Sequence, residues 1–148
     1  MSEHVSYEDY LEKHESLTYR NVGVSMLPLL RQGKDLFIVT RKTNERCQVG
    51  DVVLYRRPPQ HYVLHRIVKV RPADYVILGD NCIRKEYGIT DADIIGVMTG
   101  FVRGGKSYDV HDKRYRVYVF AWMHTISLRI FFKKCVLRLK RKTIRTVT

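Results

Sequence analysis

The sequence has no uninterrupted apolar run of the roughly 20 residues that a helix needs to cross a bilayer, and it has only three cysteines. Cys47, Cys82 and Cys135 are odd in number and do not have the CxxC or histidine-paired spacing of metal ligands. This argues against a disulfide framework and against structural zinc. The N-terminal residues are acidic where a secretory signal has a basic flank and an apolar stretch, so no export signal is visible.

Acidic residues are missing altogether from the last part of the chain. From Arg129 onward there are eight Lys or Arg and no Asp or Glu, which leaves only +4 of the net charge of +12 for the first 128 residues. The basicity therefore belongs to a C-terminal tail. Because this tail has no aromatic residue after Phe132, the pattern argues against a nucleic-acid partner.

The middle of the chain consists of short apolar and β-branched runs that are separated by turn residues. The intervals between them are too short for helices, so the sequence predicts a mainly β fold built from a coiled antiparallel β-sheet. An N-terminal helix is predicted over residues 7–16, because Tyr7, Tyr10, Leu11 and His14 would share one helical face. The predicted strands cover residues 36–39, 52–55, 62–70, 75–78, 94–102 and 106–110.

A chain of this length fits one domain with appendages. We expect an N-terminal helical segment over residues 1–20, a β domain over 21–112 and an apolar, then basic C-terminal segment over 113–148. Residues 117–132 are apolar and aromatic, and a cationic amphipathic helix there would lie in a membrane interface, with its basic end at anionic headgroups. A helix packed on the β domain with a solvated basic end fits the same pattern.

A serine stands in the turn-prone stretch GVSMLP, just ahead of a predicted strand. Taken alone, a serine near a proline is typical of an ordinary turn. Such a turn could also expose the Ser25 hydroxyl and leave the backbone N–H groups of Val24, Ser25 and Met26 free to form an oxyanion site.

Two further elements carry residues that are suited to acid–base chemistry. His65 alternates with Val63 and Ile67 on one face of a predicted strand, an unusual place for an imidazole without a function. Taken alone, a single histidine is still typical of an ordinary core or surface residue. The turn Gly-Asp-Asn at residues 79–81 directly follows another strand, and Glu86 comes six residues after Asp80. A carboxylate that accepts the Nδ1 proton of His65 would fix its tautomer.

The order of these elements resembles the type I signal peptidase superfamily, which includes the self-cleaving LexA-type repressors. The nucleophile box Ser-Met-x-Pro matches residues 25–28, Gly-Asp-Val-Val matches 50–53, the base box His-Arg-Ile matches 65–67 and Gly-Asp-Asn matches 79–81. Residues 95–102 resemble the closing strand of the family. Bacterial members usually have lysine in the base box, whereas endoplasmic-reticulum and archaeal members have histidine, so the resemblance is to the histidine type.

The resemblance implies a serine endopeptidase that cleaves a leader or signal peptide through an acyl-enzyme, with Ser25 as nucleophile and His65 as general base. It also implies a supporting carboxylate, for which Asp80 and Glu86 are both candidates. For Asp80, a structural turn carboxylate that caps backbone N–H groups fits the same position. A histidine near its reference pKa of about 6.5 needs little tuning, which predicts an open cleft. The partner would be an extended peptide or preprotein, and no metal or cofactor is needed.

Two departures from the family pattern leave another function open. No membrane helix precedes the serine, and Glu86 stands where the family usually has aspartate. The alternative is a LexA-like or catalytically silent regulatory or peptide-binding module with a basic tail that tethers it to membrane or nucleic acid. We expect association with a membrane, peripherally or through a C-terminal anchor, with a cytoplasmic location as the alternative. We also expect residues from Arg129 onward to be dispensable for cleaving a soluble peptide.

Overall fold

The structure, a computed structural model, describes the backbone of residues 5–146 and the side chains of residues 5–142. This part of the chain contains eight strands and three helices. The helices are α1 (Tyr7–His14), α2 (Lys113–His124) and α3 (Ile126–Thr146). The strands are β1 (Ser16–Arg20), β2 (Leu36–Arg41), β3 (Val52–Arg57), β4 (His61–Val70), β5 (Tyr75–Leu78), β6 (Glu86–Ile89), β7 (Ile94–Arg103) and β8 (Lys106–Asp109).

All eight strands form one antiparallel sheet in the order β1-β2-β7-β3-β4-β5-β6, with β8 paired to β7. The antiparallel arrangement is confirmed, but the predicted coiling is wrong, because the sheet is neither closed nor strongly curled. Its edge strands β1 and β6 pair only with β2 and β5 respectively. Since two C-terminal helices follow the sheet where one was predicted, the fold is mixed α/β and not mainly β.

The sheet buries apolar side chains on both of its faces. Val52 and Leu54 of β3 pack in one core cluster, whereas Val53 and Tyr55 pack in a second one, as the alternation of side chains along a strand requires. Leu11 of α1 is buried in the first cluster. Burial on both faces explains why the strands read as continuous apolar runs and not as a simple alternation.

The C-terminal apolar segment is divided at Thr125 into α2 and α3. The Thr125 hydroxyl donates to the carbonyl of Ala121 at 2.8 Å, and the Arg129 guanidinium reaches back to Thr125 Oγ1 and to the carbonyl of Trp122. These side-chain bonds satisfy the C-terminal end of α2 and explain the break. No helix within residues 5–146 is both long and apolar enough to span a membrane.

Candidate active site

Ser25, His65 and Glu86 line one cleft with a volume of about 850 Å³. The residues of this Ser25 cleft come from the turn before β2, from β3 and β4, from the loop that leads into β6 and from α3. The structure therefore brings together three side chains that are far apart in the sequence. Asp80, the fourth candidate, does not line this cleft.

The turn that carries Ser25 is anchored from two sides. The side chain of Met26 is buried in the first core cluster. From the other side, the backbone N–H of Asn81 donates to the carbonyl of Ser25 at 2.7 Å, and the Asn81 side-chain amide donates to the carbonyl of Val24 at 3.0 Å. The predicted Gly-Asp-Asn turn thus holds the serine turn in place.

Several donors of the serine turn are left open by this anchoring. Within residues 5–142, the hydroxyl of Ser25 and the backbone N–H groups of Ser25 and Met26 have no hydrogen-bond acceptor. The turn itself is closed by the carbonyl of Val24, which accepts from the N–H of Leu27 and from the side chain of Asn81. Ser25 lines the cleft, so its open N–H can meet an incoming oxygen, as an oxyanion site requires. Met26 is only 1% exposed and does not line the cleft.

His65 presents its two ring nitrogens to different partners. Nδ1 lies 3.2 Å from Glu86 Oε1 and 3.3 Å from the Tyr55 hydroxyl. Nε2 and the carbonyl oxygen of Ser25 both approach Gly79: each lies 2.9 Å from the point where a Cβ on this glycine would stand. The distance between Nε2 and the Ser25 carbonyl oxygen is therefore at most twice 2.9 Å. No hydrogen bond of the described residues joins His65 directly to the Ser25 hydroxyl.

Gly79 is required at its position because of this close approach. A Cβ there would also lie 2.7 Å from Cys82 Sγ, so any side chain would push apart the histidine, the cysteine and the serine turn. Real Cβ atoms do not tolerate contacts of this length. The glycine of the Gly-Asp-Asn turn thus allows the imidazole to face the serine turn.

Glu86 is held by β3 as well as by His65. The Tyr55 hydroxyl donates to Glu86 Oε1 at 2.9 Å, and Arg57 donates to both carboxylate oxygens, at 3.1 Å to Oε2. Tyr55 and Arg57 were not predicted from the sequence. Their alternation along β3, next to the strand of His65, is the signal that could have pointed to them.

His65 is buried, with only 6% of its surface exposed, and the expectation of an open cleft around it is wrong. Burial lowers the pKa of His65 below its usual 6.5; the negative charge of Glu86 opposes this effect, and the positive charge of Arg57 adds to it. The imidazole is therefore uncharged at neutral pH, which is the form that can accept a proton.

Asp80 is bonded to Arg66 and not to His65. Arg66 donates to both Asp80 oxygens, at 2.7 and 2.8 Å, and Tyr118 of α2 donates to Asp80 Oδ2 at 2.8 Å. Each side chain of the pair is about 1% exposed. Arg66 also donates to the carbonyl of Gly50 at 2.8 Å, so the pair joins the Gly-Asp turn before β3 to the turn after β5.

Helix α3 takes part in the site. Arg129 donates to the carbonyl of Asp80 at 3.1 Å, and Lys133 donates to Asn81 Oδ1 at 2.6 Å and to the Asn81 carbonyl. Lys133 and Leu137 also line the Ser25 cleft. Helix α3 therefore contacts the turn that holds Ser25. That residues from Arg129 onward are dispensable for cleaving a soluble peptide stays a prediction.

The arrangement consists of a serine turn with open N–H donors, a neutral imidazole that faces it, and a carboxylate behind the imidazole. Within the described part of the chain, no group of three or more His, Cys, Asp or Glu could hold a metal ion. Comparisons with protein-family models, with curated proteins and with solved structures found no match for this chain. Its function is therefore inferred from the side chains and their positions.

Proposed function

We propose that the protein is a serine endopeptidase of the signal-peptidase-like type, with Ser25 as nucleophile, His65 as general base and Glu86 as the carboxylate that orients His65. The observation that carries this proposal is the placement of His65, whose Nδ1 lies 3.2 Å from Glu86 while Nε2 faces the serine turn. A serine hydroxyl needs such a base, and the base needs a third group that fixes its tautomer. The order of the sequence boxes, which resembles that of the signal peptidase superfamily, favours the same assignment.

The reaction proceeds by acyl transfer. His65 Nε2 takes the proton of Ser25 Oγ as this oxygen attacks the scissile carbonyl, and the oxyanion that forms is bound by the open N–H of Ser25. The proton then passes to the departing amine, which leaves an acyl-enzyme on Ser25. Water, deprotonated by His65, attacks the ester, and the release of the carboxylate product returns the proton to Ser25.

The substrate is proposed to bind as an added strand at β4. Residues 61–65 of β4 pair with β3, whereas the pairing with β5 begins only at Arg66. Along residues 61–65, the other edge of β4 therefore pairs with no strand of the described chain. Tyr62, Val63 and Leu64 from this stretch line the Ser25 cleft. An extended leader or signal peptide could hydrogen-bond there and bring its scissile bond to Ser25.

The roles of His65 and Glu86 can be tested by measuring how the rate of labelling with a serine-reactive fluorophosphonate depends on pH. Labelling needs neutral His65, so its rate should fall as the pH drops through the pKa of His65, which lies below 6.5. Since the charge of Glu86 raises this pKa, Glu86→Gln should move the acid limb to still lower pH. It should also slow labelling by about tenfold or more, because the imidazolium loses its support.

Glu12→Gln removes an exposed carboxylate of α1 and serves as the matched control, with an unchanged profile. An acid limb that stays in place or moves upward in Glu86→Gln would refute the assignment of Glu86. If the intact protein is not labelled at any pH, the silent peptide-binding module becomes the better description.

We further propose that α2 and α3 lie on an anionic membrane surface, so that the enzyme is peripherally membrane-associated. Phe120 of α2 and Leu128, Phe131 and Phe132 of α3 are each more than half exposed. The exposed cations of α3 within residues 126–142 are Lys134, Arg138, Lys140, Arg141 and Lys142. An apolar helix surface flanked by cations is typical of helices that bind anionic interfaces.

Vesicle co-sedimentation tests this membrane contact. Leu128→Ser/Phe132→Ser should weaken binding to anionic vesicles by about tenfold or more at any salt concentration, because apolar area is lost. Lys134→Gln/Arg138→Gln should weaken it by a similar factor at low salt only. The control Val5→Ser/Val49→Ser replaces exposed apolar residues elsewhere and should bind normally. Failure of the unchanged protein to bind anionic vesicles at low salt would rule out the contact.

A further inference from the structure

The Ser25 cleft is lined by many more cations than anions. Its basic side chains are Arg57, Arg84, Lys85 and Lys133, and its one carboxylate is Glu86. That carboxylate is already bonded to Arg57. The charge of Arg57 is therefore compensated within the protein, which leaves three cations of the cleft to be accounted for.

The remaining three cations have no carboxylate partner among the described residues. Arg84 and Lys85 are exposed in the loop between β5 and β6. Within residues 5–142, Lys133 donates to the two neutral oxygens of Asn81 and to no carboxylate. His65 is uncharged at neutral pH and adds no charge of its own, so the cleft carries a net positive charge. The concave shape of a cleft strengthens the positive potential inside it.

The free edge of β4 limits the shape of what can bind in this cleft. A chain that pairs with residues 61–65 is extended, and its side chains point alternately toward and away from the sheet at about 3.3 Å per residue. A bound segment of a few residues therefore presents every second side chain to the same wall of the cleft. A peptide can satisfy both the strand edge and the cations, whereas a free phosphate or a lipid headgroup uses only the cations.

We propose that the cleft is specific for an extended acidic peptide, whose carboxylates pair with Arg84, Lys85 and Lys133. This inference rests on the proposed peptidase function and adds the substrate class to it. Exposed pairs of opposite charge are individually weak, so the selectivity comes from several pairs that act along one strand. It must also decrease as salt is added.

Binding to the full chain with Ser25→Ala tests the proposal without turnover. The probes are an alternating Ala-Glu peptide of about nine residues, long enough to cover residues 61–65, and its Ala-Gln counterpart, compared by isothermal titration calorimetry. At low salt the acidic peptide should bind about tenfold tighter than the amide peptide. Adding Arg84→Gln/Lys85→Gln should remove most of this difference.

The matched control removes two exposed lysines outside the cleft, Lys34→Gln/Lys106→Gln, and should keep the preference in full. Equal binding of the two peptides would overturn the proposal, as would a preference that survives Arg84→Gln/Lys85→Gln. Tighter binding of a single-stranded oligodeoxynucleotide of equal charge, lost in the same variant, would assign the cleft to nucleic acid instead.

The peptidase proposal can fail separately from this one. A Ser25→Ala chain that prefers the acidic peptide, in a protein that no serine-reactive probe labels, would leave an acidic-peptide binding module. Labelling of Ser25 without any acidic preference would leave a peptidase of another specificity. The calorimetric and the labelling experiments therefore report on the two proposals independently.

Discussion

Replacing Arg66 with methionine is expected to lower the free energy of unfolding by about 3 to 5 kcal/mol, because it breaks a buried ion pair. Arg66 and Asp80 are each about 1% exposed and are joined by two hydrogen bonds. Methionine fills a similar volume but leaves the carboxylate buried without its counter-charge. Urea unfolding followed by circular dichroism measures the change.

Two further variants identify the cause of that loss. Arg41→Met breaks an exposed pair in which Arg41 lies 3.9 Å from Glu12, and it should cost less than about 1 kcal/mol. Arg66→Met/Asp80→Leu removes both buried charges and should be less destabilised than the sum of the two single variants. Equal losses for Arg66→Met and Arg41→Met would contradict the view that a buried, paired charge holds the two turns together.

The strands were predictable where local chemistry decides them. The prediction of a strand over residues 75–78 agrees with β5, because four consecutive buried residues stand between turn-forming neighbours. β1 was missed, since only Leu17 of its five residues is buried, and an amphipathic pattern cannot be read from one residue. β6 was missed because it is four residues long and contains Gly88 at φ 78°, which is atypical of a strand interior.

The partners in the site depend on pairings that the sequence does not show. Ser25 and His65 could be proposed from their boxes, but the choice between Asp80 and Glu86 could not be made from spacing. β6 pairs with β5, and β5 pairs with β4, so Glu86 is brought to the side of the sheet where His65 points. Asp80 lies in the turn between β5 and β6, and it accepts from Arg66, whose side chain points to the opposite face of the sheet from His65.

The burial of His65 and the contacts of α3 with the site could not be predicted from the sequence either, because both depend on residues that are far apart along the chain. Tyr55 from the neighbouring β3 and Glu86 from β6, on the far side of β5, both contact the imidazole. Lys133 reaches Asn81 across 52 positions of sequence. In the sequence, Lys133 reads as one more cation of a basic tail, and nothing nearby marks it as a residue that supports the serine turn.

The loss of Ser25 is the change with the largest expected effect on activity, because Ser25 is the proposed nucleophile. Intact-mass analysis and peptide mapping after incubation with a fluorophosphonate should find one adduct, on Ser25. Ser25→Ala should show no adduct, because among residues 5–142 Ser25 is the serine that lines the cleft with the buried, neutral His65. His65→Ala should slow labelling by about a hundredfold or more.

Ser107→Ala is the matched control, since Ser107 is exposed on β8 and outside the Ser25 cleft, and it should label at the rate of the unchanged protein. The most direct measurement is therefore the site of the adduct in the intact, folded chain. We expect it on Ser25 alone, whereas an adduct that persists in Ser25→Ala, or a folded protein that forms none, would contradict the assignment of Ser25 as the nucleophile.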